Sequence, residues 1–164
     1  MNDFRHRPRI GVIGGRAADK RTLEAARQVG ELIARAGAVL VCGGLGGVMA
    51  AAAAGARKAD GLTIGILPGN DPAEANAQID VPIATGLGYT RNSLVAMNSD
   101  ALIAVDGGFG TLSEIAYGNI YGKPVVGLGT WKIQGVIVAG SPAKAVELAL
   151  EAAKGARSAG PFAR

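Results

Sequence analysis

The chain has 164 residues, 49% of them hydrophobic but only 4% aromatic, with one cysteine and a formal charge of +4. That length suits one domain whose core is built from Val, Ile, Leu and Ala. The lone Cys42 excludes an internal disulfide framework, and a polar, basic start without a long apolar run argues against a signal peptide or membrane span, so a cytoplasmic location is expected.

Much of the positive excess lies at the ends, in Arg5, Arg7 and Arg9 and in Lys154, Arg157 and Arg164. No aromatic–basic stripe or nucleic-acid motif accompanies it, so nucleic acid is not the expected partner. His6, the only histidine, stands in the arginine-rich terminus far from Cys42 in sequence. Neither a thiol–imidazole pair nor a metal site is expected.

In chain order, residues 1–8 read as a flexible arm, and residues 10–13 as a short buried strand ending in Gly14-Gly15. Helical spacing over 19–36 puts Leu23, Ala26, Gly30 and Ile33 on one face, with Gly37 placed to cap it. Residues 39–42 form a second strand, followed by Gly43-Gly44-Leu45-Gly46-Gly47 and an alanine-rich helix over about 48–59. A strand over 62–67 ends at Pro68-Gly69, and the polar stretch 70–76 is a surface loop. Residues 79–85 look extended but contain Pro82, which marks an edge or irregular strand. A short helix over 91–99, a strand over 101–105, a helix over 112–121 and a strand over 124–128 follow. Ser141-Pro142 opens the last helix with a good N-cap and N1 pair, and residues after Gly155 look frayed. This alternation predicts an α/β, Rossmann-like doubly wound fold. Its mainly parallel sheet carries helices on both faces in a single domain over 9–155, with a flexible tail over 156–164.

In a parallel sheet every strand-to-helix turn emerges on one edge, so the glycine turns at Gly14-Gly15, Gly43–Gly47 and Gly107–Gly110 should share a rim. Glycines there let backbone N–H groups approach an anion, and the helix starts add a favourable dipole. Taken singly, each turn is equally explained by tight-turn geometry; the set favours a phosphorylated ligand. No G-x-G-x-x-G opens the first helix, and G-x-x-x-x-G-K-[ST] is absent, which argues against a nicotinamide dehydrogenase and a Walker-type ATPase.

The most informative segment is Asp106-Gly107-Gly108-Phe109-Gly110-Thr111-Leu112-Ser113-Glu114, directly after an apolar strand. Glu114 falls one turn into the following helix, so a carboxylate stands beside an anion site. Arg91, in Thr90-Arg91-Asn92, is its natural partner, able to clamp a phosphate or hold the carboxylate. Thr111 suits a helix N-cap or a phosphate hydrogen bond. Asp106 suits either a ligand contact or a turn at the strand end.

That segment resembles the P-G-G-x-G-T-x-x-E signature of the Lonely Guy family, the cytokinin riboside 5'-monophosphate phosphoribohydrolases. Cys42–Met49 is similar to the family's G-G-G-x-x-G-x-M stretch, and Ile64–Pro68 to its I-G-V-I-P strand. The likeness covers roughly residues 10–130. It implies a bound nucleoside 5'-monophosphate, a homodimer or homotetramer, and catalytic roles for the matching Arg91 and Glu114. In such a hydrolase the carboxylate stabilises an oxocarbenium-like centre or orients water, and the arginine fixes phosphate or carboxylate. Two positions depart from the signature: Asn92 stands where lysine normally follows the arginine, and Asp106 replaces the opening proline. The T-R-N variant and the compact length resemble a sister group that includes the molybdenum cofactor carrier proteins.

The leading expectation is therefore a carrier or binding protein for a phosphorylated purine- or pterin-like ligand. That ligand is an AMP-like nucleotide or molybdenum cofactor, and no further cofactor is required. Gly14, Gly15, Gly43, Gly44, Gly46, Gly47, Arg91, Asn92, Asp106, Gly107, Gly108, Phe109, Gly110 and Thr111 are the expected ligand-binding residues. The alternative is a phosphoribohydrolase using Glu114 and Arg91, and a third reading is a regulatory nucleotide sensor within a larger assembly. The lysine decarboxylase label attached to such sequences gains no support, because no lysine stands out as a pyridoxal phosphate anchor.

Overall fold

The computed structural model describes residues 4–158. Its centre is a seven-stranded, all-parallel sheet. The strands are β1 (Arg9–Gly14), β2 (Val39–Cys42), β3 (Thr63–Leu67), β4 (Val81–Ala84), β5 (Ala101–Val105), β6 (Val125–Leu128) and β7 (Val136–Val138), in spatial order β4-β3-β2-β1-β5-β6-β7. The chain runs outward from β1 on one side, then returns to place β5 on β1's other side. The β1–β5 seam is therefore the point at which winding reverses, where open α/β sheets leave a crevice at the strands' carboxyl ends.

Alternating side chains feed two apolar layers. On one face Ile10, Val12, Leu40, Ile103 and Val105 pack beneath α1 (Lys20–Arg35), α2 (Val48–Lys58) and α5 (Pro142–Ser158). On the other, Ile13, Val41, Leu102 and Ala104 meet α3 (Asn92–Met97) and α4 (Phe109–Ile120). β2 and β5 are buried along their whole lengths, as strands covered on both faces must be.

Small residues set the closest helix contact. A Cβ at Gly30 of α1 would overlap the Ala52 carbonyl oxygen of α2, and one at Gly55 would overlap the Arg27 carbonyl oxygen. The helices therefore cross with their backbones touching. Asp19 caps α1, accepting from the Thr22 N–H at 2.7 Å, and Gly37, at φ 74°, ends the turn after it. Ser141 caps α5, accepting from the Lys144 N–H at 3.2 Å.

Four local expectations change. The helix expected over 112–121 begins earlier, at Phe109, with Gly108 as its N-cap, so Thr111 is a buried residue of the first turn and not the cap. The helix expected over 91–99 is present but shorter, as α3 over Asn92–Met97, with Arg91 ending a preceding 3-10 turn, Gly88–Arg91. β7 adds an edge strand, with a run of only three β-branched residues. The arm contains a 3-10 turn at Phe4–His6, with the Arg7 guanidinium 4.7 Å from the centre of the Phe4 ring. Residues 1–3 of the expected arm and 159–164 of the expected tail lie outside the described residues.

Gly30→Ala tests the helix contact. Helix propensity alone favours alanine by about 1 kcal/mol, whereas overpacking against backbone costs about 1–3 kcal/mol or more. Because the overlap is with a backbone carbonyl that cannot move aside, the upper end of that cost applies, a net loss of about 2 kcal/mol. The expected result in thermal unfolding is a Tm lowered by roughly 4–8 °C. Gly140→Ala, where an added Cβ meets nothing within 4 Å, should remain near wild type.

Candidate functional site

At the carboxyl ends of β1 and β5 the structure forms a cleft of about 210 Å³. Of the residues expected at a ligand site, Gly14, Gly15, Arg91, Asn92, Gly108, Gly110, Thr111 and Glu114 line it. Arg16, Met49, Pro68, Gly88 and Tyr89 line it as well and were not singled out in the sequence.

The second glycine turn supports the cleft wall. The Gly43 carbonyl accepts from Arg91 Nη2 at 3.1 Å, and a Cβ at Gly43 would stand 2.6 Å from that nitrogen and 2.7 Å from Met49 Sδ. Gly44 packs against Gly65 and Leu67 of β3. Gly47, at φ 66°, lies where a Cβ would strike the Gly15 and Arg16 carbonyls, while the Val48 N–H donates to Gly15 O at 3.0 Å. Gly46 is exposed. None of these four lines the cleft.

In the third turn, Gly107 takes φ 110°, and a Cβ there would overlap Thr111 Oγ1. Phe109, between the lining residues Gly108 and Gly110, does not itself line the cleft and is 82% exposed. Asp106 also adopts a left-handed conformation, φ 51°. Its N–H donates to Leu128 O at 3.1 Å, and its carbonyl accepts from Thr130 Oγ1 at 2.6 Å. This turn directs Asp106 away from the cleft. It lines a separate groove on the α1 and α5 side, with Asp19, Arg21 and Pro142.

Arg91 and Glu114 are each only 6% exposed. Arg91 Nη1 is 3.8 Å from Glu114 Oε1, close enough for Coulombic attraction but beyond hydrogen-bond reach. The guanidinium is held instead by Gly43 O and by Asn92 Oδ1, which accepts from Nη1. Among the described residues, Arg91 Nε is buried without a hydrogen-bond partner. Asn92 Nδ2 in turn donates to Ser113 Oγ at 3.0 Å, tying the start of α3 to the first turn of α4.

Burial pushes the Glu114 carboxyl up to about 8, with Arg91 opposing the shift. Burial also pulls the Arg91 guanidinium below its usual value, against the attraction of Glu114. Near neutral pH Glu114 is therefore mostly protonated. Among the described residues, the lining then carries two cationic side chains, Arg16 and Arg91, beside a carboxyl that is mostly neutral. This removes the conflict between a carboxylate and an anion. Burial likewise raises the Cys42 thiol, to about 11, which leaves it inert. Among the described residues no group of three or more His, Cys, Asp or Glu could hold a metal, and no helix is long and apolar enough to cross a membrane.

A family model, the SLOG cluster4 family, matches residues 7–159. The chain belongs to the SLOG cluster4 family. Its signature segments thus carry the Lonely Guy-like resemblance read from the sequence, on the side of the molybdenum cofactor carriers. The molybdenum cofactor binding protein of Rippkaea orientalis is 40% identical, covering 89% of this chain and 97% of that one, with a TM-score of 0.84. The molybdenum cofactor carrier protein of Chlamydomonas reinhardtii is 37% identical, covering 90% of this chain and 98% of that one, at a TM-score of 0.83. The cytokinin riboside 5'-monophosphate phosphoribohydrolase of Mycobacterium tuberculosis is 36% identical over 121 residues, 66% of this chain and 63% of that protein. The chain thus spans under two thirds of the length of that hydrolase.

The raised carboxyl has a stability consequence. Between about 4.5, the ordinary value, and about 8, the unfolded chain releases the Glu114 proton while the native protein keeps it. The native state then binds more protons, so this group's contribution to stability is full below that window and falls across it. Glu114→Gln removes the titration. Its Tm relative to wild type should be higher at pH 8 than at pH 5, each 1 kcal/mol giving roughly 2–4 °C. Parallel Tm–pH curves for the two proteins would show that Glu114 is not held protonated.

Proposed function

We propose that the cleft binds the phosphate of a phosphorylated purine- or pterin-like ligand, and that the protein acts as a carrier or binding protein for it. The observation that carries this reading is the buried Arg91, aimed into a glycine-walled cleft with Nε unpartnered while its neighbour Glu114 is neutral. A dianion entering there meets two arginines, backbone N–H groups at the start of α4 and no opposing carboxylate. Gly15, Gly108 and Gly110 keep the walls low, so the anion can reach the backbone. The likeness to the Rippkaea and Chlamydomonas proteins supports molybdenum cofactor or a related compound as the cargo. The residues fit such a cargo at its phosphate.

A second reading is favoured by the Arg91–Glu114 pair and by the likeness to the Mycobacterium tuberculosis hydrolase. In that reading the bond from ribose C1' to the base nitrogen breaks, and a bond from C1' to a water oxygen forms. A protonated Glu114 suits giving its proton to the departing base. The carboxylate left behind would face the developing oxocarbenium charge and take up the proton that the attacking water loses, and Arg91 would hold the phosphate. The two readings differ in whether Glu114 moves a proton.

Incubation with AMP, read by thermal unfolding and by release of free adenine, separates them. At a ligand concentration of 100 Kd, binding adds about 2.7 kcal/mol, or roughly 5–10 °C in Tm. The expected result is stabilisation without base release, lost in Arg91→Ala. Base release that disappears in Glu114→Ala while stabilisation persists would establish the hydrolase and overturn the carrier.

Self-association into a homodimer or homotetramer belongs to the same proposal. Ile64 and Ile66 of β3, Ile83 of β4 and Leu94 of α3 surround an apolar hollow of about 150 Å³. Val81 and Ile83 are more than 40% exposed, an apolar surface that a second copy would cover. Light scattering should give at least twice the monomer mass, and Ile83→Lys should lower it.

A further inference from the structure

In a chain with few aromatic residues, Tyr89 lines the cleft, and Phe109, packed on Trp131, stands between two residues that line it. Phe109 and Tyr89 are each 82% exposed, far more than any other large apolar side chain near the site. Phe109 sits between Gly108 and Gly110, both cleft residues, and Tyr89 lines the cleft two residues before Arg91. Trp131, from the segment after β6, lies against Phe109 with ring centroids 5.8 Å apart and planes tilted by 36°. Its indole N–H donates to the Gly108 carbonyl at 3.2 Å, fastening the indole to the same glycine turn that walls the cleft.

This arrangement is costly for a surface with no task. Phe109 leaves most of its ring in water although the neighbouring apolar layers lie close by. Trp131 stiffens Phe109 from behind without covering it. Aromatic pairs at this separation are mutually attractive, so the Phe109 ring is held in position before anything binds. The cleft is also small. At about 210 Å³ it falls below the roughly 300–1,000 Å³ of pockets that enclose a whole drug-sized ligand. A phosphate and sugar would fill it, leaving an attached ring system outside, on the side of Tyr89 and of the Gly108–Gly110 turn that carries Phe109.

We propose that Phe109, backed by Trp131 and with Tyr89 at the cleft wall, is the stacking platform for the flat heterocycle of the ligand, and so selects ligands that carry a fused ring. This rests on the phosphate-site reading above and extends it to the ligand's other end. Stacking tolerates different heterocycles because each has a π-face. A purine and a pterin would both be accepted, while a bare sugar phosphate would gain nothing. The platform thus assigns ring selection to residues outside the buried pair, with Arg91 and Glu114 serving the phosphate end.

Calorimetric titration of the full chain with GMP and with ribose 5-phosphate tests this. GMP carries the 2-amino-4-oxopyrimidine edge that guanine shares with pterins. Wild type should bind GMP at least about tenfold more tightly than ribose 5-phosphate. Phe109→Ala should remove about tenfold from GMP affinity while changing ribose 5-phosphate by less than about twofold, and Phe109→Tyr should restore GMP binding. Trp131→Ala should give a smaller loss in the same direction. Phe109→Leu, which keeps apolar bulk without a π-face, should behave like alanine; wild-type GMP affinity in that variant would overturn stacking. Equal losses for both ligands would also overturn it, by showing that Phe109 only supports the turn. So would a fall in assembly mass in Phe109→Ala with GMP affinity intact, since the rings would then cover a second copy. Binding of ribose 5-phosphate with no gain for GMP sinks the platform alone. Binding of neither ligand to wild type sinks the phosphate-site reading with it.

Discussion

The cleft depends on how one buried guanidinium is held. Arg91 is fixed by the Gly43 carbonyl and the Asn92 side chain, not by Glu114, whose carboxyl stands 3.8 Å away. A carboxylate grasped bidentately by arginine would stay ionised and cancel the cation. Here attraction at a distance is outweighed by desolvation, so Glu114 takes up a proton and Arg91 keeps its charge. The result is a buried positive site beside a neutral acid. Asn92 contributes directly to this, because a lysine there could not accept from Arg91 Nη1.

Glycine has two separate jobs in this fold. Gly30 and Gly55 bring α1 and α2 together, and Gly43, Gly44 and Gly47 fit turns against Arg91, β3 and the first glycine turn. These positions are filled by packing. Gly15, Gly108 and Gly110 instead border the cleft, and Gly14 does both, since a Cβ there would meet Val48 and the Val105 carbonyl. The topology unites the two groups: β2, β1 and β5 are adjacent, so their three turns lie side by side along one edge. The packing glycines support the floor, and the bordering ones leave it accessible.

Most of the fold was legible because short apolar strands alternate with helical periodicity and each turn is punctuated by glycine or proline. Strand β7 was not, since Val136-Ile137-Val138 is too short to show a period and pairs only with β6. The start of α4 was misread because Gly108-Phe109-Gly110 looks like loop. Glycine is tolerated there because Gly108 serves as the cap and Thr111 is held in the first turn beneath Gly107. Within the site, the Arg91–Glu114 pairing could be read from motif spacing. Arg16 had a signal, a cation directly after Gly14-Gly15, but an exposed arginine carries no periodicity to distinguish it. The direction of Asp106 had none, since it follows from a left-handed φ at a non-glycine residue held by Leu128 and Thr130 across the sheet end.

The placement of Asp106 bears on what the neutral acid means. Had its carboxylate entered the cleft, a second negative charge would have faced any phosphate, and Arg91 would have been divided between two acids. Its placement in the α1 and α5 groove leaves Glu114, among the described residues, as the acidic side chain lining the cleft. A site that merely holds a dianion benefits from that carboxyl staying neutral. A site that cleaves a glycosidic bond must also release the proton and then tolerate the carboxylate beside the phosphate. Arg91, within 3.8 Å and already bound to backbone, can stabilise that ion but cannot approach as a bidentate partner without giving up Gly43. The same protonated carboxyl beside Arg91 thus serves a holding site and a cleaving site alike, and the two differ only in whether its proton leaves.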